Sequence, residues 1–437
     1  MGLFLQKKYT NGSLPTRCFR EEPVYGYTCM YRILLATSFA LAAIFLCLPT
    51  RATARAAESP SERQLSATPA SLTGIDAAIG KPIAMRFLET PLRDALMMIT
   101  DASGVTATAD VAALSDAGYD LDQTVLTFQT NGEPFASSLD AICELLELEW
   151  IVRDDDIEFT TPEGAALRHA TWVVNVTDIT ETPESLANLI KAALHPGTWD
   201  CDGGSGAIET DTTRDARALV VSQSWQVRRS IAGLLDRIRI IVASPDERST
   251  PLAAEGYWSD ATAAVAARKT LATAQTLDCS QVSLRDVATY LSDKTDAPIS
   301  FDWPALESSG IDVDVITADC PATKMQLARS LDRTLEPLEL DWEIRHDRIQ
   351  ITTRAETLSR MSVAAYPIAH LLSKGRDATR LVATLQAAVT PAAWLGVGGN
   401  ALIEPFRSRS GVPPCLLIIR HTSAGHRAVD AFLRSLP

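Results

Sequence analysis

The sequence is poor in the residues from which reactive sites are assembled. Six histidines, His169, His195, His346, His370, His421 and His426, are scattered over 437 residues. Neither His-Glu-x-x-His nor Cys-x-x-Cys occurs, so no zinc site is expected. Gly203-Gly204-Ser205-Gly206 lacks the second glycine of a G-x-S-x-G elbow, because Ala207 stands there. Its later counterpart, Gly398-Gly399-Asn400-Ala401, has no nucleophile at all, which argues against a hydrolase. Gly396-x-Gly398 fails as a dinucleotide fingerprint, since a Trp-containing turn precedes it rather than a strand. No catalytic residue, metal or cofactor is expected.

Apolar runs long enough to span a bilayer are also missing. The longest, Ile33 to Leu48, has 16 residues, where a spanning helix takes about 20. Arg32 precedes it and the small-x-small signal Ala54-Arg55-Ala56 follows, so residues 1–56 are expected to be a secretory signal peptide cut before Ala57. Met30-Tyr31-Arg32 makes a normal n-region by itself, which points to translation starting at Met30 rather than Met1. Left uncut, residues 33–48 would instead be a single-pass inner-membrane anchor, the chain's one expected membrane contact.

Basic charge is scarce. Of 40 basic and 54 acidic residues, seven and two respectively precede Ala57, so the remainder carries 33 against 52, a formal charge of −19. Such a surface repels phosphate backbones and anionic lipid head groups, which excludes nucleic acid as a partner. Five cysteines follow residue 56, namely Cys143, Cys201, Cys279, Cys320 and Cys415, an odd number that leaves at least one without a mate in the chain.

What the sequence does contain is itself, twice. Leu92-Arg93-Asp94 returns as Leu284-Arg285-Asp286 and Glu147-Leu148-Glu149-Trp150 as Glu339-Leu340-Asp341-Trp342, both 192 positions on. At the same shift Asp110, Asp122, Asp140, Arg153, Thr160 and Thr161 meet identical residues. The pattern P-x-x-W-x-x-x-G-G recurs at a shift of 195 (Pro196, Trp199, Gly203, Gly204; Pro391, Trp394, Gly398, Gly399), and Leu219-Val220-Val221 returns as Leu417-Ile418-Ile419 at 198. Two copies of a two-part unit are expected, over 71–242 and 260–437.

Within the first copy, Ala84 to Phe87, Val105 to Ala109 and Val125 to Phe128 read as strands. Pro91 opens a helix with Leu92, Ala95, Leu96 and Ile99 on one face, mirrored by Leu284, Val287, Ala288 and Leu291. Arg93 recurs off that face, which marks a surface role. A second helix runs from about Pro134, and a hairpin joins Trp150–Arg153 to Ile157–Thr160. Its tip, Asp154-Asp155-Asp156, becomes His346-Asp347-Arg348 in the second copy, so a solvated turn is expected rather than a cation site. The second part reads as a strand (Trp172 to Val176), a helix (Pro183 to Leu194), the Trp-Gly-Gly loop, a strand (Ala218 to Val221) and a closing helix. The fold class expected is α+β, a tandem duplication of a two-part unit in which each part is a small mixed sheet with helices on one face. The modules would occupy 71–165, 170–242, 260–356 and 362–437, with a Pro-containing linker at 243–259.

The segments "TPLRDALMMITDASGV", "TFQTNGEPFASSLDAICELLELEW" and "DDDIEFTT" (90–105, 127–150 and 154–161) resemble the short N-terminal domain shared by secretins and TonB-dependent receptors. The second part of each unit resembles the small α/β ring domains of secretins, and the whole unit is similar to exported proteins of planctomycete-type bacteria. The resemblance implies a periplasmic or cell-surface location and work by protein contact. No outer-membrane barrel sequence follows, so the partner would be another envelope protein or a second copy. The expected function is therefore a non-enzymatic exported envelope protein whose modules mediate contact or assembly.

Two site expectations remain. Cys279 and Cys320 stand where the first copy has Phe87 and Phe128, each in an expected strand just before a helix. Paired strands would bring them within about 4.4 to 6.8 Å at Cα and permit a disulfide, two buried thiols being the alternative. Trp199 with Gly203 and Gly204, and Trp394 with Gly398 and Gly399, are expected to anchor long loops on their own cores; contact with a peptide or carbohydrate is the alternative.

Overall fold

A computed structural model describes residues 75–436 apart from 131–132, 213–216, 244–251, 254–260, 296, 321–322, 373–376 and 409–415. The signal segment, Met30, Cys415 and most of the linker lie outside the described residues. Among the described residues no helix is long and apolar enough to cross a membrane.

One helical turn, α1 (Asp76–Ile79), leads into β1 (Arg86–Pro91), where Pro91 ends the strand and precedes α2 (Leu92–Ser103). Leu92, Ala95, Leu96 and Ile99 are the buried stripe of that helix, and Gly104 at φ 71° closes it in a conformation that costs glycine nothing. There follow β2 (Ala107–Ala109), α3 (Val111–Asp116), β3 (Val125–Gln129), α4 (Phe135–Leu146), β4 (Glu149–Arg153), β5 (Asp156–Thr160) and α5 (Pro162–Leu167). β1 pairs antiparallel with β3, while β5 lies between β2, to which it is parallel, and β4. The first strand is thus displaced toward Pro91 from its expected place, and α3 was not anticipated from the sequence.

β6 (His169–Asn175), α6 (Pro183–Ala193), β7 (Ala207–Asp211), β8 (Ala218–Ser224) and α7 (Trp225–Ala243) form the next layer, an antiparallel sheet in the order β6-β8-β7. Then come β9 (Leu252–Ala253), α8 (Ala261–Ala272), β10 (Ala274–Gln275), β11 (Cys279–Ser283), α9 (Leu284–Thr295), β12 (Ile299–Phe301), α10 (Trp303–Ser308), β13 (Thr317–Cys320), β14 (Met325–Gln326), α11 (Leu327–Leu335), β15 (Leu340–Arg345), β16 (Arg348–Thr353) and α12 (Arg354–Ser359). The chain ends with β17 (Met361–Pro367), α13 (Ala369–Leu372), α14 (Ala378–Ala388), β18 (Leu402–Phe406), β19 (Leu416–Thr422) and α15 (Ser423–Ser435). Part of the expected linker is a strand, since β9 pairs with β17 at the edge of the sheet β18-β19-β17-β9.

Many of the recurring residues cap helices or tie segments together. Asp110 accepts the amide of Ala113 at the start of α3 and the hydroxyl of Thr160, and it pairs with Arg168. Asp302 repeats all three contacts with Ala305, Thr352 and Arg360. Arg93 grips Asp122, and Arg285 grips Asp314, each through two nitrogens on the surface.

The sheets β6-β8-β7 and β18-β19-β17-β9 differ in how their faces are covered as well as in the added edge strand. In the first, Trp172, Val174, Leu219 and Val221 pack on α6 and α7, while Val173 on the other face is 50% exposed. In the second, both faces are covered: Ala364, Tyr366, Leu417 and Ile419 face α14 and α15, whereas Val363, Ala365, Leu402, Phe406 and Ile418 join the core formed by α6 and α7. The reason lies in the side chains. Thr171, Ala207, Asp211 and Val220 of the first sheet are replaced by Val363, Leu402, Phe406 and Ile418, which need a second apolar cover.

Candidate functional site

The disulfide expectation is met by strand register. Phe87 stands opposite Phe128 in β1 and β3, and Cys279 opposite Cys320 in β11 and β13. The two cysteines are bonded, with Cα atoms 4.9 Å apart. Cys143 is a buried free thiol whose ionisation burial pushes well up, and Cys201 is exposed.

Both Trp loops are built alike. Trp199 is fully buried and its indole donates to the carbonyl of Leu194 at 2.8 Å; Trp394 donates to Val389 at 2.8 Å. Each tryptophan bridges to the far side of its loop, at Gly206 and Ala401. Gly203 and Gly398 adopt φ 88° and 95°, where a side chain is strained. A Cβ on Gly204 would fall 2.2 Å from the Thr198 carbonyl carbon, and one on Gly399 2.0 Å from the Ala393 oxygen. The glycines therefore let two backbone segments touch. The indoles lie inside, and Cys201, Asp202, Gly203, Leu395 and Val397 are among the exposed residues of the two loops.

A second repeated arrangement joins the parts of each unit. The indole of Trp150 donates to Asp140 at 2.6 Å, and that of Trp342 to Asp332 at 2.8 Å. Over each ring lies an arginine from the closing helix: Arg229, 4.5 Å from the Trp150 centroid, and Arg427, 4.8 Å from that of Trp342. Arg229 donates twice to Asp140 at 2.9 Å, while Arg427 donates to both oxygens of Asp341. Glu149, the counterpart of Asp341, is consequently left without that clamp. Burial, then the charge of Asp140, push its carboxyl up to about 7 despite a hydrogen bond from Gln226.

The third arrangement joins the two units. The tip of the hairpin β15–β16 seats on α4: Arg345 and His346 reach Glu144 at 2.9 and 3.0 Å, Ser137 donates to Asp347 at 2.7 Å, and Arg348 pairs with Glu133 at 3.2 Å. Burial alone would raise the Glu144 carboxyl, but the hydrogen bond and charge of His346, with Arg345 and Gln350, hold it well below the carboxylate range. The expected solvated turn is found in the first hairpin, where Arg153, Asp154 and Asp155 are exposed; the second is docked because its tip carries cations that an acidic helix attracts.

Where these junctions meet, a cavity of about 1000 Å³ opens. Glu149, His195, Arg229, Arg268, His346 and Arg420 line it, beside Leu194 and Pro196 of one Trp loop and Leu395 and Asn400 of the other. His195 lies 3.0 Å from Ser230 at the cavity wall. Among the described residues no cluster of three metal-ligating side chains occurs. Ser205, the serine of the near-elbow, lies on the surface 3.3 Å from His169. The sequence carried one usable sign of Arg229 and Arg427, their common spacing of 198.

The sequence matches no family model and no curated protein. Among solved structures it is similar to the N-terminal domain of the secretin XcpQ from Pseudomonas aeruginosa, at 10% identity and a TM-score of 0.13, over 81% of this chain and 98% of that one.

Proposed function

We propose that the chain is a non-enzymatic exported envelope protein whose repeated modules work by protein–protein contact. One observation carries this reading: among the described residues, the side chains present in both copies fill the cores, cap helices, clamp Trp150 and Trp342, or pair on the surface, and none forms a repeated reactive site. The resemblance of residues 90–161 to the secretin and TonB-receptor short domain points the same way. Export rests on residues 33–56, and N-terminal sequencing of the native protein checks it; a mature chain beginning before Ala57 would make residues 33–48 an anchor. Mild crosslinking of native envelopes followed by affinity recovery should return one reproducible partner, or the chain itself. Recovery of neither, with a strictly monomeric chain, would overturn the reading.

A second reading, binding of a peptide or carbohydrate, is favoured by the cavity that opens beside both Trp loops. Its signature would be a ligand whose binding is lost in Leu395→Asp while the fold is kept.

A further inference from the structure

We propose that the chain associates head to tail with a second copy of itself, the first hairpin tip (Arg153 to Asp156) of one molecule seating on the exposed face of α11 in the next. This rests on the reading of the chain as a contact protein and names its partner. The contact already exists once inside the molecule, where the second hairpin tip seats on α4. The surfaces that would repeat it are both open: Asp154 has a side chain 93% exposed, and Arg329, Arg333 and Glu336 are exposed on α11 and the turn after it.

The correspondence runs residue by residue at the shift of 192. Arg345 on the tip has Arg153 as its counterpart, and Glu144 on the helix has Glu336. The ion pair found at 2.9 Å between the units is therefore available, residue types unchanged, between one copy and the next. Ser137 is replaced by Arg329 and Asp347 by Asp155, so a serine–aspartate hydrogen bond becomes an arginine–aspartate pair. Three positions oppose the contact: the Arg348–Glu133 pair becomes Asp156 beside Met325, Glu158 replaces Gln350 and would face Glu336, and Asp154 replaces His346 and would approach both Glu336, which replaces Glu144, and Asp332, which replaces Asp140. Arg329, one helical turn before Asp332, lies on the same face to offset that repulsion.

Two exposed apolar side chains lie where the same step would bury them. α10 rests against α4, and the counterpart of Trp303 at its start is Val111 in α3, 61% exposed. Val173 belongs to the outer face of the sheet β6-β8-β7, and its counterpart Ala365 is fully covered by the helices of the preceding unit. A neighbouring copy's α14 and α15 would lie over Val173 as α6 and α7 lie over Ala365. Tip and helix are different surfaces, so the contact is heterologous and propagates from copy to copy instead of stopping at a symmetric dimer.

Sedimentation velocity on the exported chain, over a range of concentration and salt, tests this. The expected result is growth past the dimer at low salt and its loss at high salt, because exposed charges carry the contact. Arg153→Glu alone and Glu336→Arg alone should each weaken association about tenfold or more. Mixing the two variants should restore it, since the acidic tip of one then meets the basic helix face of the other. Arg329→Glu gives an independent reading on α11. A monomer at every low-salt concentration, or association indifferent to all three reversals, overturns the inference. A monomeric chain that still crosslinks to another envelope protein overturns it while leaving the proposed function standing.

Discussion

Arg229 and Arg427 occupy the same place in two closing helices, each over a tryptophan, yet the first grips Asp140 and the second Asp341. The choice is local. Asp341 lies near enough to Arg427 to take one guanidinium nitrogen on both of its oxygens while the other nitrogen donates to the Trp342 carbonyl, whereas Glu149, one methylene longer, turns toward Gln226 and the cavity.

Glu149 should therefore cost stability at alkaline pH. Its carboxyl is raised to about 7 in the fold, above its value in the unfolded chain, so the folded state binds the proton more tightly. Stability present below about pH 4.5 is lost as pH rises through 7, by at most about 3 kcal/mol. Glu149→Gln keeps the shape without the charge, so urea unfolding should show a gain at pH 8 that vanishes at pH 4. Equal effects at both would contradict the assignment.

His426 gives the opposite slope. It is partly buried in α15, with its Nδ1 2.7 Å from the Tyr366 hydroxyl and its Nε2 3.0 Å from the Ser362 carbonyl. Burial lowers its basicity to about 4, against the pull of that carbonyl. The unfolded imidazole takes a proton first, so stability is complete above about pH 6.5 and falls as pH drops toward 4, by about 3 kcal/mol. His426→Gln should flatten this part of the pH profile, measured by denaturant titration between pH 4 and 7.

Much of the fold was legible because one periodicity answered another. The stripe of Leu92, Ala95, Leu96 and Ile99 recurs as Leu284, Val287, Ala288 and Leu291, and both are buried. The Phe87–Phe128 and Cys279–Cys320 pairs were legible for the same reason, since equal register places equal positions opposite each other. The junctions were not. Asp140 and Trp150 recur at one shift and Arg229 at another, so no single alignment brings the clamp together. β7 and β18 were missed because each follows a glycine loop and reads poorly as a strand, Ala207–Asp211 being largely polar and Leu402–Phe406 containing Pro405. The change of charge at the hairpin tip was visible, but not the helix that receives it, because a contact between distant segments leaves no local pattern.

The disulfide should matter in proportion to the chain it closes. Cys279 and Cys320 are separated by 41 positions, which on the chain-entropy account stabilises the fold by about 3 to 4 kcal/mol. Reduction, or Cys279→Ser with Cys320→Ser, should lower the unfolding midpoint accordingly. Alkylatable thiols at both positions in the native, unreduced protein would contradict the bond.

Trp199 provides the last prediction and separates the two readings of its loop. The side chain is fully buried, and its indole satisfies the carbonyl of Leu194 at the end of α6. Trp199→Ala removes that packing and leaves the carbonyl unpaired, a loss of about 3 to 5 kcal/mol. Gly204→Ala should also destabilise, because its Cβ meets the Thr198 backbone and not a side chain that could turn away. If the loop is an anchor, both variants lower the melting temperature without creating any selective binding defect. If Trp199→Ala instead keeps the melting temperature and loses a glycan or peptide in calorimetry, the indole reaches a ligand and the anchoring account fails.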